Sequence, residues 1–383
     1  MNNMLKYDIC RCCGSKNLNH WLSLPNSPVA NALFSTPDLY RHPLELNSCD
    51  DCGHLQLASA PDPDDVFADY RYKSGVSNSF KNHFNKYAFD IITQYGKGID
   101  GAVLEIGSND GYLLEQFKKM NCTVLGVEPS KHLVQEHADK GVDVICDFFT
   151  VDLVDKHSLR NKFDIVCANN VLAHIPDTLG VVQAISLSLR TNGILVAECG
   201  HQEGITSGKY LDNVYHEHID YYTPYSFSKL LERAGLIVED VTIIESHGIS
   251  FRIVARKRTG NNKLTLEKLD WDLKQAEVEN YISAREDKMR ALIGDRPFVA
   301  YGAAAKAVTS LYTLGLVNNK LIGVVDDNDL KQGYYFPGTD ILITNPADLD
   351  KDAFVVVTAW NVFLDIKEKL VSRGHRGEII CMQ

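Results

Sequence analysis

Between residues 80 and 257, compact apolar runs recur at short intervals, each closed by a glycine, an acid or another small or polar residue. Residues 102–107 (AVLEIG), 123–128 (TVLGVE), 163–168 (FDIVCA) and 193–198 (GILVAE) set apolar side chains at successive positions. That is the pattern of strands covered on both faces. The stretches between them, such as 111–119 and 131–140, read as helices. Strand–helix alternation of this kind predicts a mostly parallel sheet sandwiched by helices. Residues 237–245 and 249–256 then follow with only a short polar turn at Ser246-His247-Gly248, which predicts an antiparallel edge pair.

Beyond this region, residues 264–293 are rich in Glu, Lys, Ala and Leu and lack Gly and Pro before 294, so one long helix is expected. A second, smaller α/β unit follows, with strands expected at 298–302, 321–326, 341–343 and 354–358. The region 1–70 shows little periodicity, and 59–65 (SAPDPDD) reads as a connector. The expected domains are therefore 1–70, 71–258 and 259–383.

A length of 383 residues suits two or three domains. The net charge of −11 and the lack of a long Lys/Arg block argue against a nucleic-acid partner. No run reaches the roughly 18 apolar residues of a membrane span. The opening MNNMLKYDICRCCG lacks the basic-then-apolar form of a secretory leader, so a cytoplasmic protein with no membrane partner is expected.

Five of the ten cysteines lie in the first 52 positions. In a reducing compartment such clustering points to metal, whereas the scattered Cys122, Cys146, Cys167, Cys199 and Cys381 point to core packing. Cys10 and Cys13 form one C-x-x-C pair, Cys49 and Cys52 a second. Two such turns offer four thiolates, which predicts a closed, structural zinc site. Cys12 is a rival ligand for the first pair and His54 for the second.

The turn after the first strand of the alternating region reads Glu105-Ile-Gly107-Ser-Asn109-Asp110-Gly111. It is not a G-x-G-x-x-G, because Asn109 replaces the middle glycine and the third is missing. A dinucleotide pyrophosphate fits such a turn poorly; the carboxypropyl group of S-adenosylmethionine fits better. Glu128 stands at the second strand end, where an acid accepts from both ribose hydroxyls. Asp147 with Phe148 follows the third strand and suits an adenine, and Asn169 closes the fourth. These residues form the expected donor site. An NAD-dependent oxidoreductase using either glycine-rich turn is the rival reading.

The densest chemistry is Val214-Tyr215-His216-Glu217-His218-Ile-Asp-Tyr221-Tyr222-Thr223, between the fifth strand and the next helix. In a helical turn Tyr215 and His218 share a face. A histidine takes a proton near neutral pH and a tyrosine hydroxyl donates to a developing oxyanion. His216 and His218 with Glu217 could instead bind an ion, or the run could be a packed polar cap. Tyr222 is a candidate substrate contact, Tyr70 and Tyr72 could fold over the pocket, and His174, after the fourth strand, would lie near the donor's sulfonium. Gly302-Ala303-Ala-Ala-Lys306 opens a helix in the second unit, where a helix N-terminus and a lysine suit a pyrophosphate.

Taken together, these residues resemble the bacterial sugar C-methyltransferases that act on nucleotide-linked 4-keto-deoxysugars. The resemblance also rests on Pro28-Val-Ala-Asn31, Cys52-Gly-His-Leu-Gln56, Asn170-Val-Leu-Ala-His-Ile-Pro176, Tyr301-Gly-Ala-Ala-Ala-Lys306 and Asp326-Asp-Asn-Asp-Leu-Lys-Gln-Gly333. It implies a class I methyltransferase fold with a seven-stranded sheet, flanked by a small zinc-binding domain and a smaller Rossmann-like domain. It implies that His218 removes the C3 proton beside a C4 ketone, and that the enolate attacks the sulfonium methyl. Tyr215, His174 and Tyr72, with Tyr70 as the rival for Tyr72, match pocket positions, and Glu217 belongs to the same catalytic run. It implies that Gly302, Ala303 and Lys306 hold the pyrophosphate of a dTDP- or GDP-linked keto-sugar. A monomer is expected, and transfer to a hydroxyl is the nearest alternative.

Overall fold

The computed structural model describes residues 4–62, 78–95, 101–244, 249–257, 264–268 and 272–383. Its middle is a seven-stranded sheet built from Ala102–Ile106 (β1), Thr123–Val127 (β2), Asp143–Ile145 (β3), Phe163–Asn169 (β4), Leu189–Gly200 (β5), Leu236–Ile244 (β6) and Ser250–Lys257 (β7). The spatial order is β6-β7-β5-β4-β1-β2-β3. β7 runs antiparallel to both of its neighbours, and the pairs from β5 through β3 are parallel. The expected edge pair is therefore β6 and β7, although β7 is the inner of the two.

The successive apolar positions are explained by cover on both faces. Val103 and Leu104 point to opposite sides of β1 and are both fully buried, as are Val166 and Cys167 on β4. One face carries Leu104, Val166, Leu195 and Phe227; the other carries Val103, Cys167 and Val196 against Tyr87, Ala88 and Ile91 of the helix Asn78–Tyr95. Each fully buried aliphatic side chain of this kind contributes about 1.5–3 kcal/mol.

The N-terminal region is more regular than its sequence suggests. Leu18–Ser27, His42–Cys49 and Leu55–Leu57 form an antiparallel sheet, and Ser59–Pro61, expected as connector, pairs with Met4–Lys6. The fourth strand of that antiparallel sheet is Asp220–Tyr221, which pairs with Gln56 and Leu55. A boundary at residue 70 thus separates two regions that share a sheet.

The C-terminal unit is a five-stranded parallel sheet in the order Ile343–Thr344, Leu321–Val325, Phe298–Tyr301, Val355–Val357, Ile379–Cys381. The last of these was not anticipated from the sequence. The long helix starts later than expected, at Asp272, and ends at Ile293. Residues 264–268 lie without regular structure, with Leu266 packed on the central core and the Lys268 ammonium donating to the Asp50 carbonyl. Among the described residues, no helix is long and apolar enough to cross a membrane.

Candidate active site

The two cysteine pairs meet. The sulfur atoms of Cys10, Cys13, Cys49 and Cys52 all lie within 4.8 Å of one another. Cys10 Sγ is 3.5 Å from Cys52 Sγ and Cys13 Sγ is 3.6 Å from Cys49 Sγ. A tetrahedron with Zn–S bonds of about 2.3 Å has edges of about 3.8 Å, so the four thiols fit zinc. Each pair closes with a glycine in left-handed conformation, Gly14 at φ 80° and Gly53 at φ 68°. Neither rival joins the four sulfurs: Cys12 is fully buried beside them but outside the group, and the His54 ring donates from Nε2 to Asp220 Oδ1 at 2.9 Å.

The turn after β1 is built around left-handed residues: Gly107 at φ 62°, Asn109 at φ 51° and Gly111 at φ 74°. A Cβ on Gly107 would stand 2.9 Å from Val171 Cγ2, so only glycine lets the turn pack on the loop after β4. Glu128, at the end of β2, accepts from the Asn109 and Ser130 amides, each at 2.9 Å. Each of its oxygens keeps a second lone pair for a hydroxyl.

Glu105, Asp110 and Glu128 are all buried around this turn. Burial, together with the neighbouring Asp110 and Glu128 charges, pushes the Glu105 carboxyl well above the usual range. Among the described residues neither Glu105 nor Glu128 has a cationic side chain as partner. Glu105 Oε2 and both side-chain polar atoms of Asn169 are buried and, among the described residues, lack a hydrogen-bond partner. Orphaned polar atoms at adjoining strand ends are unusual and call for a ligand. An ammonium and a sulfonium, the two cationic groups of S-adenosylmethionine, suit that acidic, under-satisfied corner. Asp147 and Phe148 lie farther along at the end of β3. Both are exposed, with Asp147 Oδ1 accepting from the Phe148 amide at 2.9 Å.

A short loop carries the chain from Asn169 to His174. His174 and His218 lie side by side, ring centroids 4.5 Å apart, and Tyr215 stacks on His218 at 4.1 Å. The run 215–218 is a single turn closed by the His218 amide donating to the Tyr215 carbonyl at 2.9 Å, which puts the two side chains on one side as expected. His218 donates from Nδ1 to the Asn213 carbonyl at 2.8 Å. In the neutral ring Nε2 must then be the lone-pair nitrogen, and it accepts from the Tyr215 hydroxyl at 2.8 Å. His174 donates from Nδ1 to the Glu217 carbonyl at 2.7 Å. Its burial lowers its pKa to about 4, against a smaller upward pull from that bond, so it is neutral at physiological pH.

Other expected site residues lie elsewhere. His216 is fully buried and donates to the Pro43 carbonyl at 3.1 Å, so it does not share an ion with His218. The Glu217 carboxylate accepts from the Asn31 amide at 2.7 Å and the Ala30 amide at 3.3 Å, gripping the N-terminal region. Tyr222, expected against substrate, is 1% exposed and stacks on His54, its hydroxyl donating to the Leu172 carbonyl and Asp220. The structure gives it a core position. Tyr70 and Tyr72 fall outside the described residues.

The C-terminal unit closes the loop from its other side. Thr309 Oγ1 donates to the Val214 carbonyl at 2.9 Å and Trp360 Nε1 to Asp212 Oδ2 at 2.7 Å. The Gly302 turn sits at φ 109°, with its Ala303 amide donating to Asp326 at 2.6 Å. The helix Ala305–Thr313 then opens without a side-chain cap. Lys306 lies in its first turn, partly buried; burial lowers its pKa, opposed by the nearby Asp212 charge. The residues that sequence reasoning missed are Arg11 and Asp220; His54, expected as a rival metal ligand, is instead a partner of Asp220. Arg11 was hidden between cysteines, and Asp220 inside a run read for its aromatic residues.

Comparison with known proteins adds to this geometry. A model described as "Putative zinc binding domain" matches residues 10–67, one described as "Methyltransferase domain" matches 80–241, and one described as "C-methyltransferase C-terminal domain" matches 245–382. The chain is 28% identical to C-methyltransferase NovU of Streptomyces niveus, over 96% of this chain and 94% of that protein. A ubiquinone biosynthesis O-methyltransferase of Aeromonas salmonicida is 25% identical over 42% of this chain and 74% of its own length. Among solved structures, a SAM-dependent methyltransferase from Archaeoglobus fulgidus aligns with TM-score 0.38 and 16% identity, over 46% of this chain and 94% of that one.

Proposed function

Because the chain belongs to the three-part family of zinc-containing, S-adenosylmethionine-dependent C-methyltransferases, we propose that its acceptor is a nucleotide-linked 4-keto-deoxyhexose and that the methyl group goes to C3. The observation that carries this reading is the paired imidazole and phenol of His218 and Tyr215, with the Asn213 carbonyl fixing the tautomer in which Nε2 is the lone-pair nitrogen of the neutral ring.

A carbon next to a ketone gives up its proton only if the enolate oxygen is stabilised. His218 Nε2 takes the C3 proton, and the Tyr215 hydroxyl transfers its hydrogen bond from Nε2 to the forming oxyanion. His174, neutral and adjoining, lines the same pocket without adding a competing positive charge. The bound donor supplies an electrophilic methyl group. Glu105, Asp110, Glu128 and Asn169 hold its amino-acid and ribose portions, while Asp147 and Phe148 flank its base. The pyrophosphate of the acceptor sits at the uncapped start of the helix Ala305–Thr313, with Lys306 as its cation and the Gly302–Ala303 turn beside it. Zinc in the four-thiol site leaves no open coordination position, so its part is structural.

The deciding experiment incubates the zinc-loaded protein with methyl-labelled donor and a panel of dTDP- and GDP-linked 4-keto-deoxyhexoses. Label on C3 is expected. A companion incubation in deuterium oxide without donor should exchange the C3 proton in the wild type and not in His218→Asn. Label appearing on a hydroxyl, with no C3 exchange, would overturn the carbon-acceptor reading.

A further inference from the structure

We propose that Arg11, inside the first metal turn, is a positioning residue for the His174–His218 pair, so that the zinc-binding region sets the geometry of the catalytic loops. The proposal rests on the methyl-transfer reading above, in which those two rings line the reacting centre.

Arg11 sits between Cys10 and Cys13 yet turns away from the sulfur cluster. Its guanidinium is 8% exposed and reaches two loops of the methyltransferase domain at once. Nη1 donates to the Pro176 carbonyl and Nη2 to the Ile175 carbonyl, each at 2.5 Å, and Nη2 also to Thr178 Oγ1 at 2.6 Å. Those groups directly follow His174 in the chain. The other edge of the fork meets the Asp220 carboxylate, Nε to Oδ1 at 2.8 Å and Nη2 to Oδ2 at 3.0 Å. Asp220 lies just beyond His218, separated from it by Ile219 alone. One planar cation therefore ties the loop carrying His174 to the loop carrying His218, and the Ile219 amide adds a direct tie to the Ala173 carbonyl at 2.7 Å.

Both ends of the tie are themselves fixed. The Arg11 amide donates to Gln56 Oε1 at 2.9 Å, and Gln56 Nε2 donates to the Ile9 carbonyl at 3.1 Å. Asp220 also accepts from His54 and Tyr222 and is held in the strand pair with Gln56. This arrangement needs the shape of arginine as well as its charge. A lysine carries the charge as a point and cannot span two carbonyls and both carboxylate oxygens.

The test uses the full, zinc-loaded chain carrying Arg11→Lys. Zinc content of one per chain and donor affinity by calorimetry should match the wild type. The imidazole ¹⁵N resonances of His174 and His218 should move. With the acceptor active in the panel, kcat should fall about 10²-fold while KM changes little, as expected for a reacting group displaced by about 1 Å. Thr178→Val, which removes one hydroxyl from the same tie, should give a smaller change of the same kind and serves if Arg11→Lys does not fold. Unmoved imidazole resonances with wild-type kcat, or a loss confined to melting temperature, overturn the proposal. The resonance readout needs no acceptor. If His218→Asn turns over normally while Arg11→Lys still shifts both rings, it is the base assignment that fails and not the positioning role.

Discussion

One buried and one half-buried histidine make stability depend on acidity. His174 and His216 both have their pKa lowered to about 4 by burial, against 6.5 for an open ring. Between those values the unfolded chain binds more protons than the folded one, so stability rises with pH across the window. The contribution is complete above pH 6.5 and disappears as the pH falls towards 4, at about 3 kcal/mol for each ring. Denaturant melts from pH 4 to 7 should show this slope. His216→Gln, which keeps a donor for the Pro43 carbonyl, should flatten part of it; an unchanged slope would show that His216 takes up no proton on unfolding in that range. Tyr215→Phe removes the hydroxyl that donates to His218 and is expected to lower kcat by about 10²-fold with donor binding intact. Full turnover by that variant would remove Tyr215 from the oxyanion role. At this scale the sequence was informative where spacing brings side chains together, as in the four cysteines whose sulfurs meet and in Tyr215 with His218, whose rings stack. It misled where burial decides: Tyr222 and Glu217 look reactive on paper, but packing turns one into the core and the other onto the Ala30 and Asn31 amides.

At the scale of elements, the turns matter more than the strands. Gly107→Ala must accept both a left-handed φ of 62° and a methyl group 2.9 Å from Val171 Cγ2. A loss of about 1–2 kcal/mol in stability is expected from the backbone alone. Donor affinity should also fall under the proposed donor site, in which this turn presents Glu105 and Asn109. Adding Val171→Ala relieves the contact but not the dihedral, so calorimetry on the double variant should recover only part of the binding. Complete recovery would mean that the contact alone was responsible. The strands of the central sheet were legible because burial on both faces leaves an unbroken apolar signature, as at Val103-Leu104 and Val166-Cys167. The N-terminal strands were not, since half-buried antiparallel pairs interrupted by bulges, as in Leu18–Ser27, blur the alternation. The long helix begins later than its composition suggests, because propensity does not register tertiary contacts such as those of Leu266 and Lys268 ahead of it.

For the whole molecule, the loop of residues 210–218 is where three regions meet. The N-terminal region holds it through Pro43 and the Ala30–Asn31 amides, and the C-terminal unit through Thr309 and Trp360. Stripping zinc with a strong chelator should therefore lower the melting temperature of the entire chain in one transition and reduce turnover, with donor affinity least affected. Two separate transitions, with only the first shifted, would show that the metal region unfolds independently. The order of the parts along the chain was readable from sequence; their mutual grip was not, because it depends on buried partners far apart in the chain, such as Arg11 and Asp220. The strand Asp220–Tyr221 has one consequence for how the protein is made. During synthesis the cysteine-bearing sheet leaves the ribosome early but lacks its last ribbon until Tyr221 has cleared the exit tunnel. The bare edge of Leu55–Leu57 has to wait, open to mispairing, while everything between it and that ribbon is translated. A pulse-proteolysis series on stalled nascent chains should find protection of the cysteine-bearing sheet arriving late, and together with that of the loop of residues 210–218.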